Sequence, residues 1–264
     1  MSNAYQTPES NLVNDKVSTG NSDSEKYGSV EKAIHGEYSF SIGAVISEAW
    51  TKTKGSKWIF NLSFVFYFLV IIIVMTLMEF ITVSLVSSNA MGGDPSQMVS
   101  GMMFVPLALQ LSANLIILPM VMGLAMMGIK RSVDAPISSG MVFKYFPKML
   151  PLFVTMLLIY IMVIIGFILF VLPGIYLMIA YYMAMPLVAE KGLSPWQAME
   201  ASRKAITHRW FSIFGFFITM LLIIVVSALP LGIGMIWTMP MMVIAFAILY
   251  RNMFGVNTET VSQY

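Results

Sequence analysis

Three polar side chains interrupt the apolar runs of this chain and are the first candidates for chemistry. Glu79 stands near the end of one run, and Gln110 and Asn114 stand four residues apart in the next. An ionisable side chain inside a membrane span is costly to bury, so it is a functional candidate by default. Residues four apart share one helix face, and the three could therefore line a polar path. The structural alternative is that the amides hydrogen-bond between packed helices.

A second group of charged side chains surrounds the fourth apolar run and the segment after it. Glu190 ends that run, and the following segment carries Glu200, Arg203 and Lys204. A Glu190–Arg203 pair or a Glu200–Lys204 pair would connect this segment to the rest of the protein. We therefore interpret these four residues as a structural lock rather than as a substrate site.

Common catalytic and metal-binding patterns do not occur in this sequence. It contains no cysteine and two isolated histidines, His35 and His208, which do not make a zinc framework. A Ser-His-Asp order and a phosphate-binding glycine loop are also missing. Thioethers bind Cu(I), but most of the 25 methionines lie in apolar runs, where flexible packing explains them. Four of them cluster near one loop: Met91, Met98, Met102 and Met103. The sequence predicts a non-enzymatic protein without a cofactor.

The composition indicates that a bilayer is the main solvent. Hydrophobic residues make up 58% of the 264 and charged residues 11%, whereas a soluble domain has about a quarter charged. Six apolar runs approach or exceed the roughly 20 residues that a helix needs to cross the hydrocarbon core. The runs are 58–82, 103–129, 149–171, 175–189, 210–230 and 235–250. The predicted fold is all-α, a polytopic membrane protein with six transmembrane helices.

The positive charges predict an orientation. All 15 Lys and Arg residues fall on one side when the six runs are threaded through a bilayer, and the loop with Asp94 has none. Basic residues near span ends are retained in the cytoplasm, so both termini are predicted there. Anionic lipid headgroups are then a partner, at about 1 kcal/mol per basic residue. Basic residues placed singly beside apolar runs exclude a nucleic-acid stripe, and a membrane-protein partner or a homo-oligomer is compatible with this pattern.

Amphipathic segments precede the first and fifth runs. Residues 39–57 and 195–208 each place apolar side chains on one helix face, as a helix lying in the membrane interface does. They end in basic–aromatic pairs, Lys57-Trp58 and Arg209-Trp210, which open the next run. Residues 138–148 are a shortened version of the same plan. The pattern predicts amphipathic interfacial helices and suits a threefold repeat of helix plus hairpin.

Three regions follow from these patterns. Residues 1–38 are rich in Ser, Asn, Gly and charge and lack an apolar period, which predicts a disordered cytoplasmic tail. Residues 39–255 form the six-span membrane domain. Residues 256–264 form a short cytoplasmic C-terminal tail.

The half of the chain from Lys130 to Gly255 resembles a known class of membrane protein. The resemblance lies in Leu172-Pro173-Gly174-Ile175-Tyr176, in Pro186-Leu187-Val188-Ala189-Glu190 and in the run from Gly192 to Arg203. These segments resemble the YciC-type bacterial inner-membrane proteins and the membrane domain associated with glycerophosphodiester phosphodiesterases. The resemblance implies six spans and an inner-membrane location. It does not imply hydrolysis, because the phosphodiesterase domain of such proteins is a separate soluble module.

Two functions are compatible with the sequence. The first is a structural or accessory role in envelope or lipid homeostasis, which the lack of catalytic groups and the surplus of interfacial helix favour. The second is a small-molecule or lipid transporter with a polar path near Glu79, Gln110 and Asn114.

Overall fold

The computed structural model describes residues 27–91 and 95–262, and it describes side chains there except in 89–103 and 261–262. Every regular element in these ranges is helical. Two 3-10 helices, Ser139–Phe143 and Phe146–Lys148, lie between α4 and α5. The α-helices are α1 (Val30–Ile34), α2 (Ile42–Thr53), α3 (Lys57–Met91), α4 (Pro95–Ser132), α5 (Met149–Leu169), α6 (Val171–Ala180), α7 (Ala184–Lys191), α8 (Pro195–Thr207), α9 (Trp210–Ala228), α10 (Met235–Phe254) and α11 (Thr258–Ser262).

Six helical segments are long and apolar enough to cross a membrane, which confirms the predicted fold class. They are Lys57–Ser88, Phe104–Ser132, Ser139–Leu169, Val171–Lys191, Trp210–Ala228 and Met235–Phe254. The sixth segment has 20 residues, which cover about 30 Å, the thickness of the hydrocarbon core. The two shortest apolar runs, 175–189 and 235–250, therefore belong to helical segments of 21 and 20 residues that are longer than the runs themselves.

The fourth segment differs from its prediction in two places. The reversal between the third and fourth segments occurs at Phe170, whose extended backbone ends α5 and begins α6. Pro173 and Gly174, which lie between the predicted runs 149–171 and 175–189, belong instead to the first turn of α6, where proline removes no helical hydrogen bond. A turn at residues 181–183 then divides the segment into α6 and α7.

Each amphipathic element packs against the second span of another hairpin. The hairpins are α3–α4, α5–α6/α7 and α9–α10, and in each the second span is more buried than the first. α2 packs on α10, the 3-10 helix Ser139–Phe143 packs on α4, and α8 packs on α6 and α7. Because α10 belongs to the last hairpin and α2 to the first, these contacts close a ring. Such a cyclic exchange is what a threefold repeat of interfacial helix plus hairpin produces.

Small side chains allow these close contacts. A Cβ atom at Gly123 of α4 would lie 2.6 Å from the Val142 Cα, so the 3-10 helix reaches α4 only because a glycine stands there. In α8, Ser202 Oγ donates to the Ala180 carbonyl at 2.7 Å and accepts from the Met183 N–H at 3.2 Å. Ser202 thereby satisfies buried backbone groups at the turn between α6 and α7.

Equivalent basic residues mark the ends of the three second spans. Lys130, Lys191 and Arg251 stand near the ends of α4, α7 and α10, and they are 61 and 60 residues apart. The first hairpin is the longest, since α3 and α4 have 35 and 38 residues while α9 and α10 have 19 and 20. The difference of some 16 to 18 residues per helix adds about 25 Å at 1.5 Å per residue. One unit of the repeat is therefore an extended version of the others.

Both ends of the folded region extend beyond the predicted domain limits. Residues 27–38 were predicted to belong to a disordered tail, but α1 packs on α8 and α10. Tyr38 is buried, and its hydroxyl donates to the Ala205 carbonyl at 2.9 Å. Burial raises the pKa of Tyr38 to about 12. The predicted C-terminal tail contains α11, and two of its residues donate hydrogen bonds to a buried carboxylate described below. The first 26 residues of the predicted tail and the loop residue Asp94 lie outside the described part of the chain.

Candidate functional site

Arg251 joins three helices at one end of the bundle. Its Nη1 and Nη2 donate to both carboxylate oxygens of Glu48 at 2.8 and 2.9 Å, and Nη1 also donates to the Ser132 carbonyl. The Arg251 side chain is 6% exposed, and its guanidinium carbon lies 4.5 Å from the centre of the Tyr27 ring. A planar guanidinium makes such forked contacts, whereas an ammonium group cannot. Arg251 therefore fastens α2 and the end of α4 to α10.

Lys52 and Arg131 extend this cluster along α2 and α4. Lys52 Nζ lies 2.6 Å from Asp134 Oδ2 and 3.8 Å from Glu48 Oε1. Arg131 Nε donates to the Lys52 carbonyl at 2.9 Å. The hydrogen bond from Lys52 lowers the pKa of Asp134 below its ordinary value. The charged side chains of α2, of the end of α4 and of α10 thus lie together. We call Glu48, Lys52, Arg131, Asp134 and Arg251 the charged layer.

Glu190 is a buried carboxylate with partners on three helices. Its side chain is 0% exposed. Oε2 accepts from the Tyr250 hydroxyl at 2.9 Å and lies 3.2 Å from Lys191 Nζ. Oε1 accepts from the Asn257 N–H at 2.6 Å and from Thr260 Oγ1 at 3.1 Å. A buried charge is tolerated where it is paired and hydrogen-bonded in this way, and this cluster ties α7 to α10 and α11.

Of the two predicted pairs, the structure forms Glu200–Lys204 and not Glu190–Arg203. Glu190 does not pair with Arg203 in the described structure, because its carboxylate is bonded to Tyr250, Asn257 and Thr260 instead. Arg203 donates instead to both oxygens of Glu200 at 2.9 and 3.1 Å, and Lys204 Nζ lies 3.3 Å from Glu200. The hydrogen bond from Arg203 lowers the pKa of Glu200. These three residues all belong to α8 and are partly exposed, so their pairs stabilise that helix slightly and do not fasten it to the bundle.

Sequence reasoning missed three residues of these clusters: Glu48 and Arg251 in the charged layer, and Tyr250 beside Glu190. Glu48 and Arg251 are 203 residues apart, and no local spacing connects them. One signal was available. Arg251, Lys191 and Lys130 recur at nearly equal intervals in the sequence, which indicates equivalent places at the ends of the second spans.

A cavity of about 490 Å³ lies among the spans beside the Glu190 cluster. Side chains from α3, α4, α5, α6, α7 and α10 line it, together with the turn between α6 and α7. Among the described residues, its wall contains no Asp, Glu, Lys or Arg side chain. Tyr250 forms the part of the wall next to the Glu190 cluster, because its hydroxyl donates to Glu190.

The three candidates for a polar path do not line this cavity. Glu79 and Gln110 are exposed on the surface of the bundle. Asn114 Nδ2 donates to the Gln110 carbonyl on its own helix at 2.8 Å. Gln110 and Asn114 are therefore neighbours on α4, and none of the three candidates is among the described residues that line the cavity.

Comparison with protein-family models, with curated proteins and with solved structures found no match. Within residues 27–91 and 95–262, no three His, Asp or Glu side chains gather as a metal site would require. The side chains of the four loop methionines considered for Cu(I) lie outside the part of the chain that is described at that level.

Proposed function

We propose that this chain is a non-enzymatic integral protein of the bacterial inner membrane with an accessory role in envelope lipid homeostasis. The observation that carries the proposal is the charged layer. Basic residues from four separate parts of the chain lie at one end of the bundle, where each makes a buried or partly buried ion pair or hydrogen bond. They are Arg131, Lys148, Lys191 and Arg251. Positive charge gathered at one end favours a cytoplasmic position for that end, and the proposal puts both termini on the same side of the membrane.

The exposed face of α8 is the surface that this role uses. Trp196 is 60% exposed and the Lys204 side chain 49% exposed, while the opposite face of α8 is buried against the bundle. An exposed tryptophan and an exposed lysine on one helix, about two turns apart, suit the headgroup region of a bilayer and also suit a membrane-protein partner. The capping box at Ser194 and Gln197 fixes the start of this helix.

Membership of the YciC-type class is part of this proposal. The segments that carry the resemblance fold into α6, α7 and α8. Glu190, the last residue of one such segment, holds the buried cluster described above. The residues that carry the resemblance thus make structural contacts in this chain, which supports a role that does not require catalysis.

A single complementation experiment separates this role from polar transport. Deleting the gene is expected to change the phospholipid composition of the envelope, and both the wild-type chain and a Glu79→Gln variant are expected to restore it equally. The reason is that Glu79 is exposed and does not line the cavity among the described residues. The measurement is quantitative lipid analysis of envelope fractions.

Two results would contradict the proposed role. An unchanged lipid composition in the deletion strain would remove lipid homeostasis from the account. Failure of the Glu79→Gln variant at normal protein abundance would transfer support to a transporter with a polar path, and flux measurements in proteoliposomes would then follow.

A further inference from the structure

The wall of the cavity beside the Glu190 cluster is apolar and adaptable. Its lining consists of aliphatic, aromatic and methionine side chains and one proline, and five of the lining residues are methionines. Methionine is flexible and polarisable, so it fits ligands of irregular or changing shape. Tyr182 is 40% exposed and lies on this wall, with its ring 4.7 Å from Phe217 and 4.9 Å from Phe246. The wall offers dispersion contacts rather than ionic ones.

Water is a poor occupant of such a space. An apolar cavity stays dry, because a buried water needs about two to four polar partners. Left empty, the cavity would deprive its lining of contact atoms on one side. Its volume of about 490 Å³ falls within the roughly 300–1,000 Å³ of small-molecule sites.

The position of the cavity selects the ligand. Five of the six membrane-crossing segments contribute to its wall, so molecules reach it from the hydrocarbon layer. The commonest flexible apolar chains there are those of the lipids themselves. At the charged end, the Tyr250 hydroxyl is already bound to Glu190 at 2.9 Å, so this wall presents a ring rather than a free polar group.

We propose that the cavity holds the acyl chain of a membrane lipid. The inference rests on the proposed function and gives it a ligand class. The headgroup of that lipid stays outside the cavity, because no charged side chain of the described wall would receive it.

Native mass spectrometry of the purified protein tests the proposal. The wild-type chain is expected to retain an acyl lipid after detergent exchange. Ala125 of α4 lines the cavity, and Ala125→Phe is expected to weaken lipid binding at least about tenfold, which corresponds to 1.4 kcal/mol of binding energy and lowers the retained fraction. Ala108 lies on the exposed surface of the same helix, so Ala108→Phe should retain lipid as the wild type does.

A smaller substitution covers the case in which Ala125→Phe does not fold. Ala125→Leu fills less of the cavity and should give an intermediate loss at an unchanged melting temperature. The mass of the retained molecule distinguishes a phospholipid from a free fatty acid, and either supports an acyl-chain site. Wild-type protein without a bound acyl lipid would overturn the inference, as would equal retention by wild type and a folded Ala125 variant. If the deletion strain still shows an altered lipid composition in that case, the accessory role stands without this ligand.

Discussion

Replacing Glu190 by alanine is expected to lower the free energy of unfolding by about 3–5 kcal/mol, the usual cost of removing one partner from a buried ion pair. The carboxylate is 0% exposed and holds Tyr250, Asn257, Thr260 and Lys191 together. Its loss removes the counter-charge of the Lys191 ammonium, which keeps only the Asn257 Oδ1 contact at 2.8 Å among the described residues. It also leaves the Tyr250 and Thr260 hydroxyls and the Asn257 N–H without this acceptor. The measurement is an unfolding titration with SDS in mixed micelles.

Glu200→Ala is the matched control for Glu190→Ala. Both changes remove a carboxylate that pairs with basic residues, but the Glu200 side chain is 38% exposed and its partners lie in the same helix. Exposed pairs of this kind contribute about 0–1 kcal/mol. Equal losses in the two variants would show that Glu190 does not hold α7, α10 and α11 together.

Replacing Arg251 by methionine is expected to cost about 2–3 kcal/mol, somewhat less than the loss of a fully buried partner. Methionine keeps the apolar part of the side chain but leaves Glu48 and the Ser132 carbonyl without their shared donor. Because the Glu48 side chain is 36% exposed, water still solvates part of the Glu48 carboxylate after its partner is removed. The same micelle titration measures this variant, and α2 is expected to become accessible to protease first.

Arg251→Lys separates the contribution of the two-point hydrogen bonding to Glu48 from that of the positive charge alone. Lysine keeps the positive charge but cannot donate to both oxygens of Glu48 in one plane, so it should recover only part of the lost stability. A double-mutant cycle with Glu48→Gln should show a positive coupling energy between the two residues. Additive losses would mean that Arg251 stabilises α10 without joining it to α2.

The helices were predictable because bilayer solvation leaves a strong local signal. Apolar length and basic–aromatic pairs such as Lys57-Trp58 were enough to find all six spanning segments, although prolines lie inside α4 and α10. The turn at residues 181–183 was missed because it contains no glycine or proline, and Ser202 of a distant helix satisfies its backbone. Tertiary contacts decided that element.

The candidate site was predictable only in part, because its members meet through long-range packing. Glu190 was selected as an ionisable residue at a span end, and the structure makes it the centre of a cluster. Its partners Asn257 and Thr260 were assigned to a tail, since short polar segments carry no sign of the buried carboxylate that orders them. The cavity had no sequence signal at all, because cavity-lining methionines and core methionines have the same pattern.

Cysteine accessibility tests the central claim most directly, that the chain crosses a bilayer with its charged layer on the cytoplasmic side. The chain contains no cysteine, so each introduced cysteine is the single labelling site. An impermeant maleimide is expected to label Ser88→Cys, at the end of the first spanning segment, in intact spheroplasts. It should label Lys204→Cys, on the exposed face of α8, only after the membrane is permeabilised. Labelling of Lys204→Cys in intact spheroplasts with Ser88→Cys protected, or equal labelling of both, would contradict the account.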